Sequence, residues 1–300
     1  MTTAEVDKNA RMKNIINILA MCAIFHSVSA SANVSGIERF AVWTSGQGNY
    51  KVYRIPSLIV SAKGTLLAFC EGRPTGSDTG SIDLILKRSV DDGKTFAPAQ
   101  VVWSDPGNTC DNPCPVVDRS TGVIWLLMTH NFAKEGERQL VAGTAKLPRT
   151  VWVTHSEDDG ASWAKPSEIT ASVSMPAWAW YATGPGIGIQ IRDGKHAGRL
   201  VIPCDHTLRG GGARAGFAHV IYSDDHGRSW KLGGSSPQPG FNESQVAEIS
   251  GGRLMLNMRN SGRGQSTRGV CISDDGGETF ADLHHDPALI EPVCEASILR

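Results

Sequence analysis

One eight-residue pattern occurs four times along this 300-residue chain, and it limits the possible folds more than any other feature. It reads Ser89-Val90-Asp91-Asp92-Gly93-Lys94-Thr95-Phe96, then Ser156-Glu157-Asp158-Asp159-Gly160-Ala161-Ser162-Trp163. It returns as Ser223-Asp224-Asp225-His226-Gly227-Arg228-Ser229-Trp230 and as Ser273-Asp274-Asp275-Gly276-Gly277-Glu278-Thr279-Phe280. These are the residue types of a tight turn. An aspartate accepts hydrogen bonds from backbone amides slightly further on. Glycine takes the positive φ that such a turn needs. The hydroxyls tie the flanks together, and the closing aromatic packs into the adjoining core. Each copy follows a β-rich run, such as 83–88, 150–154 or 218–222, so each is expected to turn one strand back on the next within a single sheet.

The copies start 67, 67 and 50 residues apart. Repeats of that size, each holding several short strands, predict the blades of a β-propeller and argue against a split into unrelated domains. The 33 glycines and the scarcity of leucine-rich helical stretches fit many short strands joined by turns. The repeated aspartates are read as structural, because four equivalent turns cannot all be one active site. With 40% hydrophobic and 20% charged residues the chain is ordinary globular material. Its 29 basic and 30 acidic residues leave no basic excess or stripe, which argues against a nucleic-acid partner.

The N-terminus is different in kind. Arg11 and Lys13 precede the apolar run 15–25, and small residues follow over 27–32. This reads as a secretory signal peptide over 1–32, with Met12 a natural start, and leaves 33–300 as the globular part. The apolar run falls short of the roughly 20 residues a membrane span needs. Export to the periplasm, the cell surface or the medium is expected, and it permits disulfides. Cys70, Cys204, Cys271 and Cys294 sit in apolar strand-like runs and read as buried thiols. Cys110 and Cys114 share a Pro/Asn loop and form a candidate bridge. Neither a CxxC pair nor an HxxxH pair is present, so no metal is expected.

The octapeptide resembles the Asp box of sialidases. Other propellers carry the box too, so alone it speaks for the fold. The discriminating feature is Tyr53-Arg54-Ile55-Pro56, upstream of the first box, which matches the family's RIP motif. The likeness runs from about Trp43 to Arg300. It takes in Glu71-Gly72-Arg73, the segments 112–118 and 182–186, Asn242-Glu243-Ser244, Leu256-Asn257-Met258-Arg259 and the segment 291–297. The resemblance implies an all-β, six-bladed β-propeller, of which this chain covers roughly the first four blades, with the site at one end of the propeller axis. It implies an exo-α-sialidase that frees terminal sialic acid from glycoproteins, glycolipids or oligosaccharides without a cofactor. A trans-sialidase, or a propeller that binds glycans or proteins without hydrolysis, is the alternative.

Sialic acid carries a carboxylate on its anomeric carbon, and a planar guanidinium grips a carboxylate through two parallel hydrogen bonds. The family uses three arginines for this. The resemblance assigns Arg54 and Arg259 to the first two and makes Arg73 a further arginine of the pocket. A carboxylate nucleophile would be repelled by the substrate's own carboxylate, and sialidases use a tyrosine instead. Glu243 matches the glutamate that takes the tyrosine's proton. Glu248, the competing choice, reads as an ordinary strand residue. For the acid/base, Asp78 in a Gly/Ser/Thr loop is preferred to Asp83, which opens the next strand. The segment 112–116 is a candidate acetamido pocket, in which amide recognition would fall to Asn112 or the backbone. Trp178, Trp180 and Tyr181 form either a sugar-stacking wall or a core cluster. The third arginine and the tyrosine are expected beyond the segment 292–297, whereas the chain's four tyrosines are Tyr50, Tyr53, Tyr181 and Tyr222. The 300 residues therefore read as a C-terminally truncated sialidase that is inactive alone.

Overall fold

The apolar runs pair into four antiparallel sheets, each made from one stretch of chain. The computed structural model describes residues 39–212 and 215–300; the expected leader over 1–32 lies outside them. The first sheet orders β1 (Val52–Val60), β2 (Leu66–Arg73), β3 (Asp83–Ser89) and β4 (Gln100–Trp103). The second orders β5 (Asn108–Val117), β6 (Ile124–Phe132), β7 (Thr150–Ser156) and β8 (Ser167–Glu168). In the third, β9 (Trp178–Thr183) and β10 (Ile189–Gln190) both pair with β11 (Leu200–Leu208), followed by β12 (Gly216–Ser223) and β13 (Lys231–Ser235). The fourth orders β14 (Ser244–Glu248), β15 (Leu254–Met258), β16 (Thr267–Ser273) and β17 (Ala281–Ile290). Two short helices are added, α1 (Glu137–Val141) and α2 (Thr170–Val173).

The sheets pack face to face, as propeller blades do, which is why the middle strands read as almost unbroken apolar runs. Successive side chains of a strand point to opposite faces. Leu126 and Met128 of β6 therefore join Leu67, Phe69, Leu84 and Leu86 of the first sheet. Leu127, between them in sequence, joins Leu200, Ile202 and Ile221 of the third. Val201 and Val220 meet Val246, Leu256 and Met258 of the fourth sheet in the same way.

All four octapeptides link the third and fourth principal strands of their sheets. In the second copy Ser156 Oγ donates to Asp158 at 2.8 Å and accepts the Gly160 amide at 2.8 Å. The Ser162 amide and hydroxyl both donate to the same aspartate. The other three copies repeat these bonds. Hydroxyl and amide donors hold Asp91 and Asp158 down to about 2. The second, third and fourth turns also press on the sheet before them. A Cβ built on Gly160 would stand 2.4 Å from Leu67 Cδ2, and one on Gly227 2.1 Å from Trp125 Cε2. The closing aromatics do the same: Trp163 meets Phe69 edge-on at 5.7 Å, and Trp230 meets Trp125 at 6.5 Å.

Two cysteine expectations need correction. Cys110 and Cys114 lie in strand β5 rather than a loop, and both thiols are free and buried. The pairing of β5 with β6 shifts between Asp111 and Cys114, where Asn112 adopts a φ of 55°. The shift turns the two thiols to opposite faces, Cys110 toward the first sheet and Cys114 toward the third. Cys294 is exposed, because the chain has left β17 and runs irregularly there.

The contact between box and preceding sheet is testable. Gly227→Ala combines a left-handed backbone (φ +87°) with a clash on Trp125 and is expected to cost about 2–4 kcal/mol. Gly64→Ala, also left-handed (φ +88°) but with open space around it, should cost only about 1 kcal/mol. Urea unfolding of the two variants side by side checks this. Equal losses would remove any role for the Trp125 contact.

Candidate active site

Strand alternation puts Glu71 and Arg73 of β2 on one face, where they lock together. Arg73 Nε donates to Glu71 Oε2 at 2.7 Å, and Nη2 approaches the same oxygen at 2.5 Å. The remaining Nη1 donates to Asp78 Oδ1 at 2.5 Å and to the Ser77 carbonyl at 3.0 Å. A buried guanidinium thus grips a carboxyl whose side chain is 77% exposed. Arg54 of β1, paired in register with Glu71, reaches Asp78 Oδ1 at 3.7 Å. Arg54, Arg73 and Asp78 therefore meet. Asp83 does not join them. It accepts the Tyr50 hydroxyl at 2.7 Å on the far side of the loop.

The second sheet buttresses this group. The Asn112 amide donates to Glu71 Oε1 at 2.9 Å. Burial and the Asp111 charge push Glu71 up to about 7, while Arg73 and that amide pull it down. Arg149, buried just ahead of β7, donates from Nη2 to both Asp111 oxygens at 2.8 Å and to Asn112 Oδ1 at 2.7 Å. Its Nη1 bonds Asn131, its Nε bonds the Tyr181 carbonyl, and its guanidinium lies 4.1 Å over Trp180. Arg149 already occupies the Asn112 side-chain oxygen. Trp178 stacks on His206 at 3.5 Å, and Tyr181 is buried in the core.

Antiparallel pairing builds the opposite wall. Ser244 pairs with Met258, so Glu243 and Arg259, one residue outside each strand, become neighbours. Their backbones bond at 2.8 Å, and Arg259 Nη1 meets Glu243 Oε2 at 2.9 Å. Arg259 Nε donates to the Val293 carbonyl at 3.0 Å. Glu248 lies at the other end of β14, where it accepts the amides of Arg192 and Asp193.

Arg259 lines a cavity of about 750 Å³ together with Glu137, Thr207, Asn242, Arg263 and Val293. Glu137, from α1, joins the two walls electrostatically. Burial raises its carboxyl, Arg149 and Arg259 lower it, and Glu243 and Asp78 raise it again. Gly136, which starts α1, backs onto the acid loop so closely that a Cβ there would stand 3.0 Å from Thr79 Cγ2. Two further carboxyls look inward. Burial pushes Glu295 up to about 8, while Arg268, 3.9 Å away, and the Ala296 amide oppose the rise. Burial, then the Glu243 and Glu137 charges, raises Asp205 well above the carboxylate range.

Arg149, Glu137, Asp205 and Glu295 were not picked out from the sequence. An arginine directly ahead of a β-rich run, and an aspartate inside the apolar run 200–208, were the signals available.

Residues 64–294 match a family model described as a BNR repeat-like domain. The chain is 30% identical over 294 residues to a sialidase of Paraclostridium sordellii, covering 90% of this chain and 70% of that one. The chain belongs to the sialidase family. It is also 37% identical over 269 residues to a sialidase of Micromonospora viridifaciens, covering 85% of this chain and 40% of its relative. Against a sialidase of Bacteroides fragilis the shares are 88% and 50%, so the chain spans about half the length of these relatives. Among solved structures, a Hadza microbial sialidase superposes with a TM-score of 0.73 at 30% identity, over 83% of this chain and 50% of that one. A Trypanosoma rangeli sialidase in complex with the inhibitor DANA gives 0.62 at 26% identity, over 76% and 37%. Sialidase neighbours and four antiparallel sheets make this an all-β propeller fold. No helix among the described residues is long and apolar enough to cross a membrane.

The raised Glu295 carboxyl sets a pH dependence. The folded chain keeps a proton up to about 8 that the unfolded chain releases above about 4.5. The stability it contributes is present below about 4.5 and is lost as pH rises toward 8. Glu295→Gln should flatten that slope, removing a difference of roughly 4 kcal/mol between pH 5 and pH 8.5. Urea midpoints at the two pH values, compared between parent and variant, decide it. Identical slopes would contradict the raised pKa.

Proposed function

We propose that this protein is an exported exo-α-sialidase. It removes terminal α-linked sialic acid from glycoproteins, glycolipids or oligosaccharides with retention of configuration. The observation that carries the reading is a pair of charged groups that both act on the Glu137 carboxyl. Arg54 and Arg73 meet on Asp78, and Glu243 meets Arg259.

In this reading Arg54 and Arg259 hold the substrate carboxylate. Asp78 stands exposed at the end of a buried Glu71–Arg73 strut, as an acid that must reach a leaving oxygen requires. It protonates that oxygen in the first step and takes a proton from water in the second. Glu243 takes the proton of a tyrosine that attacks the anomeric carbon. None of the chain's four tyrosines bonds Glu243. Tyr50 donates to Asp83, Tyr53 to the Gln47 carbonyl, Tyr181 is buried, and Tyr222 lies under Arg199. The reading therefore places the nucleophile and a third arginine beyond Arg300 and makes the 300 residues inactive alone. Sialic acid release by the isolated chain would contradict that part. A purely binding propeller has no use for Asp78 held by an arginine strut.

Leaving-group dependence tests the roles in the whole protein. Asp78→Asn should reduce kcat/KM on natural sialosides about 10²-fold more than on aryl sialosides, whose leaving groups need less protonation. Arg54→Ala should weaken both substrates alike, since both carry the same carboxylate. Equal losses for Asp78→Asn would show that another group is the acid.

A further inference from the structure

Arg73 stands between two carboxyls. Glu71, whose side chain is 1% exposed, receives Nε at 2.7 Å and Nη2 at 2.5 Å. Asp78, largely exposed, receives Nη1 at 2.5 Å. The guanidinium is buried and carries a single positive charge for both. The negative charge that Glu71 sets against it therefore weakens its hold on an ionised Asp78. Glu71 is fixed in this position by the Asn112 amide at 2.9 Å, a donor that does not titrate, where β5 turns through a φ of 55°. Other charges face the pair from each side. Arg54 of β1 pairs in register with Glu71 and reaches Asp78 at 3.7 Å. From the second sheet Asp111 acts on Glu71, and Arg149 holds both Asp111 oxygens. From α1, Glu137 and Asp78 act on each other. Cys70, next to Glu71 in β2, is a thiol that burial and the Glu71 charge keep neutral. Burial and the Asp111 charge bring Glu71 up to about 7, so its charge changes near neutrality.

We propose that Glu71 is a positioning residue for the acid: it shares the Arg73 guanidinium with Asp78, so the two carboxyls titrate as a pair and Asp78 gives up its proton less readily than it would beside Arg73 and Arg54 alone. The inference rests on the sialidase reading for the reaction that Asp78 serves. The sharing of charge is independent of that reading. An anchor for Arg73 would need only hydrogen-bond acceptors, whereas this role needs the negative charge of Glu71 as well.

The first test needs no substrate. Carbon-13 NMR of this chain, labelled at its glutamate side chains and with Glu71 assigned through its own backbone amide, follows the Glu71 carboxyl through its titration. Asp78→Asn leaves Arg73 to Glu71 alone and should lower the Glu71 midpoint by about one pH unit. Asp78 is exposed, so this variant keeps the fold. The shift should persist in about 0.5 M salt, which screens direct repulsion across solvent but not a contact through a buried guanidinium. An unchanged midpoint, or a shift that salt abolishes, overturns the proposal. The second test is the pH profile of kcat/KM in the whole protein. Glu71→Gln should move the alkaline limb on natural sialosides down by about one pH unit and leave aryl sialosides, which need less protonation, nearly unchanged. Glu71→Asp retains the charge and should restore the limb to within about 0.3 unit of the parent. Equal displacement in the two variants would show that shape and not charge matters, and it overturns the proposal. A limb that ignores Glu71→Gln does the same. Absence of sialic acid release by the whole protein overturns the sialidase reading instead, and the Glu71 midpoint then decides the sharing of charge alone, as it does if Glu71→Gln fails to fold.

Discussion

Face-to-face packing of the sheets is the constraint on which the rest of the structure depends. The candidate site has no sheet of its own. Arg54, Arg73 and Asp78 come from the first sheet, Asn112 and Arg149 from the second, Thr207 from the third, and Glu243 and Arg259 from the fourth. Their mutual distances are set by how closely each sheet rests on its neighbour. That spacing is fixed by interdigitated side chains such as Leu127 against Leu200 and by the box glycines pressed on Leu67 and Trp125. A side chain in place of a box hydrogen would move one sheet against the next and shift part of the site with it.

A second constraint is charge balance. The carboxyls Glu71, Asp111, Glu137, Asp205, Glu243 and Glu295 crowd one end of the fold, interleaved with Arg73, Arg149, Arg259 and Arg268. Arginine is suited to the buried positions because it stays charged and its planar fork serves several acceptors at once. Arg149 does so for Asp111, Asn112, Thr129, Asn131 and the Tyr181 carbonyl. Burial drives Glu71, Glu137, Asp205 and Glu295 toward the neutral form, and the neighbouring arginines oppose it. The site thus offers fixed positive charge and neutral hydrogen-bonding groups together, the two kinds of contact that a sugar acid requires.

Much of the fold was legible because it is periodic. The octapeptides announce a turn by residue type, and their spacing announces blades. The pairing of Glu243 with Arg259 was also within reach, since both flank short runs that the hairpin brings side by side. What was hidden depends on register. The shift after Asp111 sends Cys110 and Cys114 to opposite faces, and no composition rule marks Asn112 as the residue that turns the strand. Arg149 was hidden for a related reason, because its five acceptors are scattered over three strands. Asp205 was hidden by its surroundings, since an aspartate in an apolar run reads as a strand residue until the neighbouring sheet is seen to bring Glu243 beside it.

The central claim is that the end of the propeller carrying Asp78 and Glu243 is built around a sugar carboxylate. A crystal structure of this chain soaked with sialic acid tests it directly. The account predicts the sugar in the Arg259 cavity, with its carboxylate within hydrogen-bond distance of both Arg54 and Arg259. A sugar bound elsewhere, or one in the cavity with its carboxylate turned away from the two guanidinium groups, would contradict it.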